Sequence, residues 1–271
     1  MRVHALYFSA TLTTKRVVEA IASATASALS VTSFDTHDVT TPSAREKRLE
    51  FSADDIVIFG TPVYIGRVPN LIKPYLETIC GGGATGIPVV VYGNRHFDDA
   101  LVELYDLMTN GGFRCIAGAA FIGEHSFSRK LGEGRPDAAD MEVASEFGEK
   151  IAQIVRNSAG VSPQRPDIPG SRPYRFFKAV DDEGKPFDIR KVKPVTDSGK
   201  CNKCGVCVRI CPMGAIDPQD QSLVPGICIK CGACVKRCPT GAKSFADTEY
   251  LRHLAILERD HISRKEPELF F

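Results

Sequence analysis

Three features that define large classes of proteins are missing from this sequence of 271 residues. No apolar run approaches the roughly 18 residues that a membrane span requires. The net charge is only +1, so the chain as a whole has no electrostatic attraction for nucleic acid or anionic lipid. The amino terminus turns polar after a few residues, which is not typical of a signal peptide. We therefore expect a cytoplasmic protein that binds neither membranes nor nucleic acid.

Cysteine is scarce over most of the chain, which argues against a disulfide framework. Only Cys80 and Cys115 lie outside the segment 201–238, which holds the other eight of the ten cysteines. Disulfide frameworks serve small secreted domains that lack a core, whereas cysteines concentrated in one segment of a chain without a signal peptide are typical of metal ligands. We predict that the eight clustered cysteines bind metal and that Cys80 and Cys115 are inert thiols.

Residues 1–156 alternate short apolar runs with helical patterns. Strongly apolar runs predict strands buried on both faces at 3–8, 56–60, 87–92 and 116–122, and 31–36 is a weaker candidate. The segments between them carry apolar residues at helical spacing. Five strands that alternate with helices predict an α/β fold with a doubly wound, five-stranded parallel sheet.

The remainder of the chain divides into three parts by composition. Residues 157–190 are predicted to be a linker and packing segment, because 157–173 contain four prolines and two glycines. Residues 191–247 form a small cysteine-rich domain. Residues 248–271 are predicted to contain an amphipathic helix that docks onto the fold through Leu251, Leu254 and Leu257.

The cysteine-rich domain contains the only internal repeat that we find. The pattern C-x-x-C-x-x-C-x-x-x-C-P begins at Cys201 and recurs 27 residues later at Cys228. The two-residue gaps let three sulfurs turn inward around one cubane, and Gly205 and Gly232 permit a close approach of the backbone. The fourth cysteine of each run lies too far along the chain and reaches the other cluster. One predicted cluster is therefore held by Cys201, Cys204, Cys207 and Cys238, and the other by Cys228, Cys231, Cys234 and Cys211.

This spacing resembles the bacterial two-cluster ferredoxin over about 45 residues. The resemblance implies an α+β electron-transfer domain with two 4Fe-4S clusters. The alternative is zinc, which also accepts four cysteines. Zinc ribbons use paired C-x-x-C knuckles rather than two four-cysteine runs that each end in proline, so iron–sulfur is the preferred interpretation.

Three loops of the amino-terminal domain are rich in groups that bind a cofactor. The first predicted strand ends in Ser9-Ala-Thr-Leu-Thr-Thr-Lys15, and hydroxyls at the start of a helix form an anion cradle. The loops 61–69 and 93–98 follow the third and fourth strands. In a sheet of order 2-1-3-4-5, ligands bind outside the carboxyl ends of the strands, where these loops meet.

The pattern of these 155 residues and the three loops resemble flavodoxins, which bind FMN. The resemblance implies that the first loop holds the phosphate, that Tyr64 stacks on the ring and that the backbone near Gly66 and Asn94 contacts the ring edge. The implied FMN-binding residues are Ser9, Thr11, Thr13, Thr14, Lys15, Pro62, Val63, Tyr64, Ile65, Gly66, Gly93, Asn94, Arg95, Phe97 and Asp98.

One position departs from the flavodoxin pattern, and a simpler interpretation of the first loop exists. Flavodoxins commonly have glycine where this chain has Leu12, which could narrow the approach of the phosphate. The alternative is that the hydroxyls only cap the first helix and that Tyr64 covers a surface. His96 and His125 lie in loops near the expected ring edge, either as general acids or as ordinary loop histidines.

The combined layout resembles the flavodoxin-domain/ferredoxin-domain fusion proteins of anaerobes. We expect an electron-transfer iron–sulfur flavoprotein that exchanges low-potential electrons with redox partners such as a ferredoxin or an oxidoreductase. The main alternative is an enzyme whose clusters feed a flavin that reduces a small substrate. A redox-responsive binding protein without flavin is a third hypothesis. A homodimer, and a basic patch at 190–193 that docks an acidic partner, are left open.

Overall fold

The computed structural model describes residues 1–157 and 165–271, so residues 158–164 of the predicted linker lie outside the described part of the chain. The central feature is a mostly parallel sheet. Its parallel strands are β1 Arg2–Tyr7, β2 Phe34–Asp38, β3 Asp55–Pro62, β4 Thr85–Tyr92, β5 Arg114–Cys115 and β6 Gly118–Ile122, and an antiparallel strand, β9 Glu268–Phe270, lies at one edge. The strands follow the order β2-β1-β3-β4-β6-β9, and β5 pairs with the start of β4. The predicted order of the five parallel strands is therefore confirmed.

Helices cover both faces of this sheet. They are α1 Thr13–Ala28, α2 Lys73–Leu76, α3 Ala100–Asn110 and α4 Ala138–Asn157. One core contains Val17 and Phe147 against one face of the sheet, and the other contains Leu101 and Phe59 against the opposite face. Strands β1, β3, β4 and β6 are buried on both faces, which is why their sequences are largely apolar, whereas the edge strand β2 is mostly exposed and contains two aspartates. Among the described residues, every helix is too short or too polar to span a lipid bilayer.

The structure adds two strands to the sheet that the sequence pattern does not predict, namely the two-residue β5 beside the start of β4 and a strand near the carboxyl terminus. β9, Glu268–Phe270, pairs antiparallel with Gly118–Ala120 at the edge of the sheet. It is three residues long and contains a charged residue, so it has no recognisable apolar run. The predicted carboxyl-terminal helix is present as α7, Thr248–Asp260, and β9 follows it along the chain.

The described part of the segment 165–190 packs along the sheet. The guanidinium of Arg95 lies 3.8 Å from the centre of the Phe177 ring, and the backbone N–H of Phe177 donates to the carbonyl of Ile65. Arg67, which pairs with the buried Glu103 at 2.6 Å, stacks on Phe176 of the same segment. Phe176 and Phe177 thus pack against arginines of the loops after β3 and β4.

The cysteine-rich domain lies against the carboxyl edge of the sheet. Its elements are β7 Val195–Thr196, α5 Val206–Arg209, α6 Ala233–Lys236 and β8 Lys243–Ser244. Arg45 donates to the carbonyl of Pro212 at 2.5 Å. Lys236 bonds to Glu124 and to the carbonyl of Ser128 in the loop after β6. The cysteines are therefore held close to the strand ends where the three predicted cofactor loops begin.

Candidate functional site

The eight clustered cysteines line two cavities. The first cysteine cavity is lined by Cys201, Cys204, Cys207 and Cys238, and has about 310 Å³ of atom-free space. The second cysteine cavity is lined by Cys211, Cys228, Cys231 and Cys234, and has about 360 Å³. Each cavity therefore combines three cysteines of one repeat with the last cysteine of the other. This grouping is the one expected if the fourth cysteine of each repeat binds the cluster of the other repeat.

The two repeats have the same backbone geometry, which explains why their cysteines converge in the same way. Lys203 and Lys230 both have φ of 57°, and Gly205 and Gly232 have φ of 70° and 73°. Each glycine precedes a single helical turn, α5 or α6. A positive φ costs glycine little, so the repeat can turn sharply and bring its third cysteine back towards the first two.

Backbone N–H groups already point at several of the sulfurs. Ala215 N donates to Cys211 Sγ at 3.3 Å, and Ala242 N donates to Cys238 Sγ at 3.3 Å. Lys230 N donates to Cys228 Sγ at 3.4 Å. Such hydrogen bonds stabilise thiolate and influence the reduction potential of a bound cluster.

The electrostatics of the second cysteine cavity favour a cationic group within it. Burial raises the pKa of Cys231, and negative charge on Cys234, Cys211 and Cys228 raises it further. Burial likewise raises the pKa of Cys234 to about 12. Four thiolates that face one another in a buried cavity repel, and a multivalent metal core would remove that repulsion. The four-sulfur donor set and its converging geometry therefore fit an iron–sulfur cluster.

In residues 1–157 and 165–271, no three His, Cys, Asp or Glu side chains are grouped as ligands of a single metal ion. The cysteines instead surround cavities, as stated above.

The two cavities differ in their accessibility. Cys231 and Cys234 are buried, at 7% and 8% exposure, and Cys231 belongs to the same apolar core as Phe8 and Phe59. In the first cysteine cavity, Cys204 is exposed and the other three cysteines are partly accessible. The second cavity thus faces the sheet, and the first faces solvent.

The β1 loop has the geometry of an anion cradle. Ser9 is buried, and its hydroxyl accepts from the backbone N–H of Lys15 at 2.9 Å. Leu12 has φ of 71°, so this leucine occupies the left-handed conformation in which flavodoxins commonly use glycine. Among the described residues, no protein group accepts a hydrogen bond from the backbone N–H of Thr11, Leu12 or Thr13. These donors at the start of α1 fit a phosphate.

The loop after β3 reaches the second cysteine cavity. Tyr64 packs against the core that contains Cys231. Burial raises the pKa of Tyr64 well above its usual value, and negative charge on Cys231 and Cys228 raises it further. Thr61, at the end of β3, is fully buried, and its hydroxyl has no hydrogen-bond partner in the described part of the chain. An unpaired buried hydroxyl is costly, so a polar ligand at this position would satisfy it.

The loop after β4 forms hydrogen bonds with a segment near the carboxyl terminus. The side-chain amide of Asn94 donates to the carbonyls of His261 and Ser263 at 2.6 and 2.9 Å, whereas its Oδ1 has no partner among the described residues. Arg95 pairs with Asp98. Gly93 lies directly beneath the ring of His125, which leaves no room for a side chain there.

The structure accordingly brings together only some of the predicted FMN-binding residues. The phosphate-side residues Ser9, Thr11, Thr13, Thr14 and Lys15 share one loop, and Val63, Tyr64, Gly93 and Asn94 lie at neighbouring strand ends. Phe97 and Asp98 instead line an open depression next to Phe177, and the carbonyl of Ile65 accepts from Phe177. The residues of the β1 loop therefore fit FMN better than Ile65, Phe97 and Asp98 do.

Two further residues border the site: His125, which the sequence places in a loop near the expected ring edge, and Tyr250, which carries no recognisable signal in the sequence. His125 contacts Gly93, and its Nδ1 accepts from the backbone N–H of Phe127 at 3.1 Å. Tyr250 of α7 is 2% exposed, and its hydroxyl has no partner in the described residues. Tyr250 stacks on Phe245, which lines the second cysteine cavity. The prediction that α7 docks through Leu251 is wrong, because Leu251 is 46% exposed, and the buried residues of the helix are Tyr250, His253 and Leu257.

Comparisons with known proteins find similarities in two parts of the chain. Residues 200–242 match the model of the 4Fe-4S dicluster domain. Three solved structures are similar to the amino-terminal part: a flavodoxin from the domain Archaea, the Flv1 flavodiiron core from Synechocystis, and a Fusobacterium nucleatum flavodoxin bound to flavin mononucleotide. Their identities are 15%, 19% and 16%, and their TM-scores are 0.39, 0.42 and 0.36. The matches each cover 58% of this chain, and 99%, 36% and 98% of the respective structures. No curated protein matches the chain.

The strand order of the sheet itself supports the assignment of a doubly wound α/β fold. The cysteine spacing, the two cavities and the domain match agree for the carboxyl-terminal part. The chain thus combines a doubly wound parallel sheet of flavodoxin-like strand order with a segment, residues 200–242, that is similar to the 4Fe-4S dicluster domain.

Proposed function

We propose that this protein transfers electrons through two 4Fe-4S clusters, one in each cysteine cavity, and that its flavodoxin-like domain binds FMN. The observation that carries the proposal is the grouping of the cysteines. Each cavity is completed by a cysteine from the other repeat, namely Cys238 in the first and Cys211 in the second. Sequential zinc knuckles would not need this exchange.

The FMN part of the proposal is supported by the free donors of the β1 loop and by the unpaired hydroxyl of Thr61. The backbone around Leu12 and the hydroxyls of Thr11 and Thr13 would hold the phosphate. Tyr64 would border the ring on the side of the second cysteine cavity. A bound flavin accepts two electrons, whereas each cluster accepts one, so the chain would exchange paired and single electrons.

The arrangement of the domains supports a fixed order of redox groups. The second cysteine cavity lies against the loop of Tyr64, and the first is open to solvent. Lys236, Arg45 and Asn94 bond the carboxyl-terminal part to the loops of the sheet. The second cluster would therefore be nearest to the flavin, and the first would be nearest to a redox partner.

Anaerobic purification followed by metal and cofactor analysis tests the proposal. We expect about eight irons and about eight acid-labile sulfides per chain, together with about one FMN. Zinc in place of iron, or about four irons or fewer, would contradict the two-cluster assignment. Iron at the expected level without flavin would contradict only the FMN part.

Substitution in the β1 loop tests the position of the flavin. Thr13→Val removes one hydroxyl from the proposed phosphate site, and we expect it to lower the FMN content severalfold without changing the iron content. Ser23→Ala is the control, because Ser23 is exposed on the same helix α1. Equal flavin retention in both variants would show that the phosphate does not bind at this loop.

A further inference from the structure

A buried position of the two cysteine repeats carries isoleucine in one repeat and lysine in the other. Five residues after its last cysteine, the first repeat has Ile216 and the second has Lys243. Both residues are 4% exposed. Ile216 lines the second cysteine cavity, and Lys243 lines the first. The similarity of the repeats thus places an apolar side chain beside one cavity and an ammonium group beside the other.

Lys243 differs from the other buried Lys or Arg side chains, because it has no carboxylate partner. Arg67 and Arg135 are also buried, and each pairs with a buried carboxylate. In the described part of the chain, Lys243 forms no salt bridge, and its ammonium donates only to the backbone carbonyl of Gln221. Burial of a charge beside a neutral carbonyl alone is costly. The position of Lys243 therefore indicates another source of negative charge nearby.

The cysteines of the two cavities are that source. Burial raises the pKa of Cys207 in the first cavity, and the charge of Lys243 opposes this rise. Burial also raises the pKa of Cys234 in the second cavity, and the charge of Lys243 opposes that rise as well. Asp220 is a further neighbour of this charge, but it is exposed to solvent. The ammonium of Lys243 therefore borders the first cavity and acts on thiolates of both.

A buried cation beside a cluster favours the reduced state of that cluster. A 4Fe-4S cluster with four thiolates is anionic, and one electron from a redox partner makes it more negative without forming or breaking a bond. An opposite charge stabilises the more negative state more strongly. Solvent and salt screen a buried charge less than an exposed one. Burial of the cluster itself has the opposite effect, because it disfavours added charge.

We propose that Lys243 is an internal countercharge that raises the reduction potentials of both clusters, and that of the first cluster most. This inference rests on the proposed function, because it requires clusters in both cavities. Ile216 supplies no such charge to the second cavity, which is also the more buried of the two. The electron would therefore favour the cluster that faces solvent over the cluster that faces the sheet.

An anaerobic redox titration of the holoprotein tests the countercharge. Absorbance and EPR spectra at controlled potentials give the two midpoint potentials of each variant. Lys243→Met keeps the length of the side chain without its charge. We expect the equilibrium constant for reduction to fall about tenfold for one cluster, which corresponds to about 59 mV, and about threefold for the other. In Lys243→Arg, which keeps the charge, both constants should stay within about twofold of the native values.

Lys203→Met is the matched control. Lys203 lines the same cavity as Lys243, but it is exposed, so solvent and salt screen its charge. We expect this variant to change either equilibrium constant by less than about twofold. Equal effects of Lys203→Met and Lys243→Met would overturn the inference, because burial of the cation would then have no part in the effect. Native potentials in Lys243→Met would also overturn it.

Lys243→Gln provides a second test if Lys243→Met takes up less iron than the native protein. Glutamine keeps a donor for the carbonyl of Gln221 but lacks the charge. Loss of iron from Lys243→Gln but not from Lys243→Arg would support the countercharge, whereas loss from all three variants would overturn it. Absence of clusters from the native protein would refute the proposed function. Native potentials in a Lys243→Met protein with full iron content would refute only the countercharge, so the two failures are distinguishable.

Discussion

Gly232 lies so close to the carbonyl oxygen of Ser126 that a Cβ on this glycine would overlap it. Gly232 belongs to the second cysteine repeat, and Ser126 belongs to the loop after β6. The two domains are therefore in backbone contact at the second cysteine cavity. The corresponding glycine of the first repeat, Gly205, has only the flexible end of Arg209 nearby, with 3.0 Å between the position of a Cβ and Nη1.

This difference predicts unequal effects of the same substitution. Gly205→Ala and Gly232→Ala both place alanine at a φ near 70°, which costs about 1 kcal/mol. Gly232→Ala must also move the backbone of Ser126, so we expect it to lower the free energy of unfolding by about 2 kcal/mol more than Gly205→Ala does. Denaturant unfolding of both variants measures the difference, and equal losses would contradict the domain contact.

Substitution of Cys211 or Cys238 tests which cluster the last cysteine of each repeat binds. In crossed ligation it binds the cluster of the other repeat, and in sequential ligation it binds the cluster of its own repeat. In the crossed arrangement, Cys211→Ala loses the cluster of the second cavity and leaves an accessible one. Cys238→Ala loses the cluster of the first cavity and leaves a buried one. We expect each variant to lose about four irons. The iron that remains should react quickly with a chelator in Cys211→Ala and slowly in Cys238→Ala, whereas sequential ligation predicts the opposite order.

The left-handed backbone conformation of Leu12 predicts that glycine at this position stabilises the folded protein. A leucine at φ of 71° costs about 1 kcal/mol, which glycine avoids. Because glycine also loses more backbone entropy on folding, we expect Leu12→Gly to raise the free energy of unfolding by only about 0.5 kcal/mol. The control is Ala20→Gly in the interior of α1, which should lower it by about 1 kcal/mol. A loss in Leu12→Gly as large as that of the control would contradict this account of the loop.

His125 predicts a specific dependence of stability on pH. Burial, together with the charge of Lys236, lowers the pKa of His125 to about 3. An unfolded histidine has a pKa of about 6.5, so between these values the unfolded chain binds a proton that the folded chain excludes. The free energy of unfolding should therefore fall as the pH decreases below about 6.5.

Replacing His125 with asparagine should reduce this loss, because asparagine keeps an acceptor for Phe127 N but does not titrate. Denaturant unfolding at about pH 7 and pH 5, with the iron content monitored, measures the effect. His96→Asn, at a residue whose side chain is half exposed, is the control and should change the pH dependence less. Identical dependence in the native protein and His125→Asn would contradict the prediction.

The strand order and the grouping of the cysteines are the features that can best be predicted from the sequence. Buried parallel strands require continuous apolar runs, and the fixed spacing of a cubane leaves a local pattern. Three contacts could not be predicted in this way: that of Tyr64 with Cys231, that of His261 with Asn94, and that of Phe177 with Ile65. Each depends on residues more than a hundred positions apart, and neither partner has a distinctive local pattern.

β9 has a mechanical consequence for the cysteine-rich domain. The chain leaves the sheet through the packed segment around Phe177 and returns to it at β9, so the small domain is fastened on both sides of its sequence. A domain joined to the sheet by one segment could rotate away from the strand ends. A domain joined by two segments can do so only after one of them has detached. Electron exchange between the domains would thus operate at a nearly constant separation, and partners would have to approach the small domain while it stays in place.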